Sequence, residues 1–373
     1  MTTRITMLAA ASFFLALAAC SPSPDSEVPA GGGAGGEAGT GGNQAGAGGG
    51  NGGEAGGPAG TGGGATSQAL SPTTFVFQRK VAADQDHIVA MDYATRQERV
   101  IATLAQPNAA GWNVDGMAVS PDRTHVVFAS LYGPTQQDSM TGMATNRIWR
   151  MNTDGSDMLR LTPVFAGGEA TTQIDVRNPS FSPDGQSVYY EYGEYTGSWY
   201  VAPWWVAADG SAVPSLVQSE PDCTINSNPT FNPVTGDLLL KHTVCLGGTH
   251  GGYFLYPKGG GGPVHLVDDQ GIDLSPTPPV FSADGGGFLF VARTSDQIQS
   301  LYLYVFDTQQ IVTVVAGAAG VDVVDGALSS DVQHVVYCVK QGGTTDLWML
   351  DVTVDPPSNV PLTSDGASCD PVF

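Results

Sequence analysis

Four residues of this 373-residue chain, Asn178, Asn228, Asp325 and Asp370, each stand three positions ahead of a large apolar residue: Phe181, Phe231, Leu328 and Phe373. Gly116 and Pro278 hold the same place ahead of Val119 and Phe281. Brought together, the four side chains would present carbonyl and carboxylate oxygens. Such oxygens suit a hard cation, or the amines and N–H groups of a peptide. The competing use is local, since Asn and Asp also bond to their own backbone in turns. A second set is aromatic. Tyr189, Tyr190, Tyr192, Tyr195, Trp199, Tyr200, Trp204 and Trp205 supply eight of the 12 Tyr and 6 Trp of the chain. Tyr195, Trp199 and Tyr200 read as loop residues, where aromatics anchor proteins or sugars, and the others as packing between strands.

Other chemistry is poorly represented. His125 and His334 follow Val119 and Leu328 at the same spacing and so repeat one structural position. His242 and His250 flank Cys245 in a glycine-rich stretch, a weak set for a metal. No Gly-x-Ser-x-Gly elbow, His-Glu-x-x-His pair or phosphate loop occurs. The glycines of Gly31–Gly36 mimic a dinucleotide fingerprint but lie in low-complexity sequence. The expectation is a protein with no enzymatic activity and no cofactor. A divalent cation at the convergent oxygens is the one addition the residue types allow.

The elements that would position these residues are repeats. The phrase Asn178-Pro179-Ser180-Phe181-Ser182-Pro183-Asp184-Gly185 returns, weakened, around Val119, Phe231, Phe281 and Leu328, and its first half closes the chain at Phe373. Its Ser-Pro-Asp-Gly has the residue preferences of a type I turn. The apolar anchors are separated by 62, 50, 50, 47 and 45 residues, by subtraction of their numbers. Such periods mark propeller blades of four short strands. Thr74–Gln78 reads as a second strand without a first, and Asp370–Phe373 as the missing first. The expectation is therefore an all-β, six-bladed β-propeller of four-stranded blades over residues 73–373, closed by the C-terminal strand joining the N-terminal blade. Leu131–Asn146 reads as an insertion. In such a wheel Asn178, Asn228, Asp325 and Asp370 would ring one mouth of the central channel.

The phrases Pro-Ser-Phe-Ser-Pro-Asp-Gly (179–185) and Met-Asn-Thr-Asp-Gly-Ser (151–156) with Arg160-Leu161-Thr162 resemble TolB-type propeller repeats. The resemblance spans 73–373 and implies that the channel face meets partners, here an envelope protein or peptide. Two other functions fit the same repeats: a polysaccharide lyase or hydrolase with a divalent metal at the channel mouth, and a glycan-binding module using the aromatic loop.

The N-terminus reads as an address. Arg4, an apolar run over Ile5–Ala19 and the sequence Leu17-Ala18-Ala19-Cys20 resemble a lipoprotein signal peptide over residues 1–19, with Cys20 the lipidated residue. Residues 20–72 follow as a flexible linker. From Gly31 to Gly64, 20 of 34 residues are glycine, which cannot build a core. About 50 such residues span roughly 40 Å as a coil. The predicted location is the cell envelope, lipid-anchored, with Ser21 after the cysteine pointing to the outer membrane. Membrane contact is expected through the lipid alone, and the protein as a monomer. With 36 acidic and 14 basic residues and a net charge of −22, nucleic-acid binding is not expected. Export favours disulfides among Cys223, Cys245, Cys338 and Cys369, with the local pairs Cys223–Cys245 and Cys338–Cys369 preferred over four free thiols.

Overall fold

The computed structural model describes residues 68–105, 114–130, 146–162, 173–195, 199–217, 223–245, 251–294 and 296–373. The signal peptide, Cys20, most of the linker, the insertion up to residue 145 and His250 lie outside the described residues.

Every described element is a β-strand. The first sheet holds β1 (Thr74–Ala82), β2 (Gln85–Asp92) and β3 (Glu98–Ala105). The second holds β4 (Val114–Val119), β5 (His125–Ser130), β6 (Arg147–Asn152) and β7 (Leu159–Arg160). The third runs through β8 (Gln173–Phe181), β9 (Ser187–Tyr195), β10 (Trp199–Ala207), β11 (Ser215–Leu216), β12 (Cys223–Phe231), β13 (Leu238–Cys245), β14 (Gly252–Tyr256) and β15 (Val264–Asp268). The fourth holds β16 (Asp273–Leu274), β17 (Val280–Phe281), β18 (Gly287–Arg293), β19 (Gln299–Val305) and β20 (Gln310–Val315). The fifth holds β21 (Val321–Leu328), β22 (His334–Gln341), β23 (Thr344–Asp351) and β24 (Ser358–Pro361). The last strand, β25 (Ser368–Val372), joins the first sheet.

The expected count of six four-stranded blades does not hold. The described strands form five hydrogen-bonded sheets, of four, eight, five, four and four strands. The eight-stranded sheet arises where β10 pairs parallel with β12, Val201 opposite Ile225. Strands β8, β9, β10 and β12 each have 9 residues. Their extra length carries them past the usual end of such a sheet and into contact. The fifth strand of the fourth sheet is β16, which pairs β18 beside β17.

The all-β propeller itself stands. Hydrophobic clusters sit between successive sheets: Val76, Ile88 and Leu104 of the first pack on Val126, Phe128 and Met151 of the second. Leu289, Leu301 and Leu303 of the fourth likewise pack on Val335 and Tyr337 of the fifth. Inner strands touch in a closed circuit, β4 to β8, β12, β17, β21, β25 and back to β4. The repeated turn has one chemistry in four of its five copies, the copy after Phe231 using Asn232 Oδ1 to accept the Val234 and Thr235 N–H groups instead. Ser120, Ser182, Ser282 and Ser329 each donate their Oγ to the Asp two residues on, at 2.6–2.8 Å. Each also accepts the backbone N–H five residues on, at 2.9–3.1 Å. The turn is closed by a backbone bond such as Gly185 N–H to Ser182 O. His125 and His334 supply two of those N–H groups, which accounts for their shared position.

The two ends of the fold meet as the repeats imply. β25 runs antiparallel to β1, with Val372 opposite Val76 and Cys369 opposite Gln78. Phe373 packs on Phe75 and Tyr93, ring centroids 5.8 and 6.0 Å away. Arg79 of β1 bonds Glu98 of β3 at 2.7 Å and Asp365 before β25 at 2.7 Å. The Cys338–Cys369 disulfide ties β25 to β22 of the preceding sheet. Cys223 and Cys245 stand opposite each other in the β12–β13 ladder, and their side chains lie outside the description. Converting Cys338 and Cys369 to serine should lower unfolding free energy by about 3–4 kcal/mol, since it frees a loop of 31 residues. Chemical denaturation of the variant and the parent measures that difference, and an unchanged midpoint would refute it.

Candidate functional site

The innermost strands β4, β8, β12, β21 and β25 all slip register at one point. The breaks fall between Val114 and Met117, Arg177 and Ser180, Ser227 and Thr230, Val323 and Asp325, and opposite the Val76/Gln78 step of β1. Each is a β-bulge, which needs a residue able to leave the extended region. Gly116 (φ 85°), Asn178 (φ 51°), Asn228 (φ 56°) and Asp370 (φ 53°) occupy the left-handed region there. Gly, Asn and Asp are the residues that enter it at least cost. That explains the residue types three positions ahead of four of the six apolar anchors; Pro278 and Asp325 are not in that region.

The bulges bring these side chains into one ring. A Cβ on Gly116 would lie 2.9 Å from the Cα of Asn178, so glycine lets the two strands close up. Asn178 Nδ2 donates to Asn228 Oδ1 at 2.9 Å. Asn228 Nδ2 donates to Thr277 O at 3.5 Å, beside Pro278. Thr277 Oγ1 donates to Val324 O at 3.1 Å, beside Asp325. Asp325 and Asp370 line the same cavity and lie close enough for each carboxyl to act on the other. Asp370 in turn feels the charge of Asp115, beside Gly116. A cavity of about 220 Å³ inside the ring is lined by Gly116, Asn178, Pro278, Asp325 and Asp370 among others. A wider cavity of about 850 Å³ also reaches Asp115 and Asp370, and its outer wall includes Lys80 and Lys340.

The four expected oxygen donors therefore divide. Asn228 is 1% exposed and spends its amide within the ring. Asn178 lines the cavity but donates to both Asn228 and Glu191. Asp325 and Asp370 are half-buried and line the cavity, and Asp370 lines the wider one as well. Burial pushes Asp325 well above the carboxylate range, and the neighbouring Asp370 adds to the push. Burial, with Asp115 next, raises Asp370 to about 6. Asp115 itself rises to about 6 through burial and the charge of Asp175. The mouth thus holds carboxyl groups that share protons near neutrality.

Several residues of the site have no counterpart in the sequence reading. Glu191, 2% exposed on β9, accepts Arg177 Nε at 2.7 Å, Asn178 Nδ2 at 3.2 Å and the Asn228 backbone N–H at 3.3 Å. It joins the second strand of one repeat to the inner strand of the next. Asp115 and Arg177 sit directly ahead of Gly116 and Asn178, so adjacency to the ring position was the available signal. Glu191 gave none.

The aromatic set is placed differently from expectation. Tyr195, Trp199 and Tyr200 are not in a loop: β9 and β10 run on so that Trp199 stands opposite Tyr195 and Tyr200 opposite Glu194. Tyr200 is 40% exposed, while the side chains of Tyr195 and Trp199 lie outside the description. Tyr190 and Tyr192 are buried in the core between sheets, and Tyr189 packs edge-on against Phe231 at 4.6 Å. His242 stacks on Phe254 at 4.4 Å and bonds the Tyr256 hydroxyl at 3.0 Å. Burial and the nearby His265 lower it to about 4. Among the described residues no three His, Cys, Asp or Glu side chains are grouped to hold a metal ion.

The sequence matches no protein-family model and no curated protein. Solved structures do match. TolB from Acinetobacter baumannii superposes at TM-score 0.58 and 14% identity, over 80% of this chain and 66% of that one. A putative TolB from Agrobacterium tumefaciens gives 0.51 and 12%, over 78% and 88%. The fold is that of a TolB-like β-propeller. Hydrazine synthase of Kuenenia stuttgartiensis gives 0.56 and 11%, over 80% of this chain and 46% of that one. A TolB-like propeller is thus shared with an enzyme's chain, and function has to be argued from the site.

Two outcomes follow from the mouth of this TolB-like propeller. Acids with raised folded values bind more protons folded than unfolded, so their contribution to stability falls as pH rises from about 4 to about 7. Asp325→Asn with Asp370→Asn, both compatible with the backbone there, should remove that fall. Relative to the parent the double variant should gain about 1–2 kcal/mol across the window, read by denaturant unfolding at each pH, and parallel curves would refute the shared proton. Glu191→Ala should cost about 1–3 kcal/mol by removing the acceptor of the Arg177 guanidinium and of the buried Asn228 N–H, Arg177 keeping only Asp175 at 4.0 Å. A loss under 1 kcal/mol in the same assay would show that water replaces it.

Proposed function

We propose that this protein is a non-enzymatic binding scaffold of the cell envelope that holds an extended, positively charged segment of a protein or peptide at the channel mouth. The supporting observation is the Asp325–Asp370 pair, two carboxyl groups opening into a cavity where Asp115 adds a third. A carboxyl pair sharing one proton is an incomplete charge arrangement. An incoming ammonium or guanidinium group completes it by displacing the proton and donating two charge-assisted hydrogen bonds to the carboxylates. Backbone carbonyls and the Asn178 ring leave the rest of the mouth polar, which suits the N–H groups of an extended chain.

In this reading residues 1–19 direct export, Cys20 carries the lipid, and residues 20–72 tether the propeller of residues 73–373, most simply at the outer membrane. Two acyl chains give stable anchoring. A tether reaching roughly 40 Å as a coil would let the mouth sweep a zone near the membrane. The net charge of −22 repels anionic lipid surfaces and favours a cationic partner.

The test is binding of fluorescent peptides from envelope proteins, in matched lysine-bearing and lysine-free forms, to the full-length protein by anisotropy. The lysine-bearing form should bind more tightly, and more so at pH 7.5 than at pH 5, where the mouth carboxyls are protonated. Asp325→Ala with Asp370→Ala should weaken it by about tenfold or more. Binding indifferent to lysine and to both alanines would overturn this reading of the mouth.

A further inference from the structure

The cavity of about 220 Å³ inside the ring is layered by chemistry. It meets the wider cavity at Asp115 and Asp370, which line both. The wider one takes the residues just before these two acids, Val114 and Cys369. The smaller one takes residues that follow them, Met117, Pro371 and Val372. Chain order along β4 and β25 therefore sets the acids between the entrance and a deeper apolar layer. Val280 of β17 belongs to that layer, since it precedes Phe281 as Val372 precedes Phe373. Asp325 of β21 stands with the acids. Packing does not cover the layer: Val280 and Val372 are only half-buried, although both lie on innermost strands, and this cavity is the space they border. Apolar surface left toward water is unfavourable, and so is a carboxyl pair without a cation.

A bare cation answers the acids and leaves the apolar layer wet. A lysine side chain reaches the acids tip first, with its methylene stem trailing toward the entrance. The apolar layer lies beyond that tip and stays empty. The free N-terminus of a chain differs, because its α-ammonium and its first side chain leave the same Cα. One can stop at the acids while the other passes them. At about 220 Å³ the cavity is smaller than the roughly 300–1,000 Å³ of ordinary small-molecule sites. That suits one residue and excludes a chain that enters and turns back. The rest of the chain would leave through the wider cavity of about 850 Å³.

We propose that the mouth takes the free N-terminal residue of its partner chain, with the α-ammonium on Asp325 and Asp370 and an apolar first side chain against Met117, Val280 and Val372. This rests on the mouth being a site for a positively charged peptide segment, and it names the cation. The partner is then a protein with an extended, unblocked N-terminus that begins with a residue such as Leu, Ile or Val. Every free chain end carries the ammonium, so selectivity among partners lies in the apolar layer.

Fluorescence anisotropy of short peptides labelled at their C-terminus, on the full-length protein, tests this. A peptide beginning with Leu should bind about tenfold or more tightly than its N-acetylated form, which lacks the charge-assisted contact. It should also bind about tenfold or more tightly than the same peptide beginning with Gly, which has no side chain to bury. Val280→Thr with Val372→Thr keeps the shape of the layer and makes it polar. That variant should lose the preference for Leu over Gly and keep the preference for the free over the acetylated end. Equal binding of the acetylated form, or of the Gly form, would overturn the proposal. If the threonine variant fails to fold, the peptide series on the parent protein still decides. An acetylated peptide with an internal lysine separates this inference from the reading beneath it. Should it bind as tightly as the free Leu peptide, and lose binding in Asp325→Ala with Asp370→Ala, the mouth takes a cation and the chain-end inference alone falls. Should no peptide bind, or binding ignore both alanines, both fall.

Discussion

The constraint on which the structure depends is the bulge at the same point of five of the six innermost strands. A propeller must turn its inner strands so that successive sheets converge on one axis, and an extra residue per strand provides the turn. Here that residue lies in the left-handed region at Gly116, Asn178, Asn228 and Asp370. The backbone requirement then does more than shape the wheel. It restricts the position to Gly, Asn and Asp, and it aims the side chain at the axis. Polar groups so placed must find partners, and they find one another. The bond from Asn178 to Asn228 is a consequence of one conformational demand repeated around the circuit, and the same demand places Asp370 beside Asp325.

Closure is the second demand. An open wheel would expose the edge of β1, a template for unwanted pairing. β25 covers it, but five residues of strand are a small fastening for a chain end that would otherwise fray. Three further contacts secure it: the Arg79 clamp to Glu98 and Asp365, the packing of Phe373 on Phe75, and the disulfide to β22. The disulfide crosses from one sheet to the next, so it fixes the angle between sheets as well as the strand. It also fixes the position of Asp370, one residue beyond Cys369, and thereby one half of the carboxyl pair.

Much of this was legible in the sequence and the reasons are specific. The Ser-x-Asp turn is a local hydrogen-bond module, so its residues recur wherever the turn does, as at Ser182-Pro183-Asp184 and Ser282-Ala283-Asp284. The ring residues were visible because a left-handed backbone leaves a mark on residue type. What was hidden depends on reach across the fold. Glu191 is one of two acids, with Glu194, in a strand of aromatic residues, and nothing in its neighbourhood marks it as the acceptor for Arg177. The sheet count failed for a related reason. Gly193 and Pro203 look like strand breakers. Yet both lie inside paired strands, Gly193 opposite Val201 and Pro203 opposite Glu191. Those strands run long enough for Val201 to meet Ile225, which fuses two units into one sheet and turns the supposed aromatic loop into a hairpin.

The electrostatics of the mouth follow from the same geometry. Carboxyl groups are expensive to bury, and a chain with 36 acids and 14 bases has few cations to spare for them. The fold compensates some: Glu191 has Arg177, and Asp86 has Gln78 at 2.7 Å. Asp325 accepts the Gly326 backbone N–H at 2.7 Å, but no cation pairs with Asp325 or Asp370 among the described residues, and a proton held at the pair is the cheapest remaining solution. Apolar residues at those two positions would pack with no such cost. Only the Asp370 position is in the left-handed region, where Asn or Gly would serve the backbone equally well without charge. Backbone geometry thus accounts for a polar residue at Asp370, but not for a second acid facing it at Asp325. An acid pair without a cation, opening into a cavity, is an arrangement that a positively charged ligand would relieve, and the Asn178 and Asn228 side of the same ring carries no such surplus. In the function proposed above, that asymmetry is what would set a binding mouth apart from a merely well-packed axis.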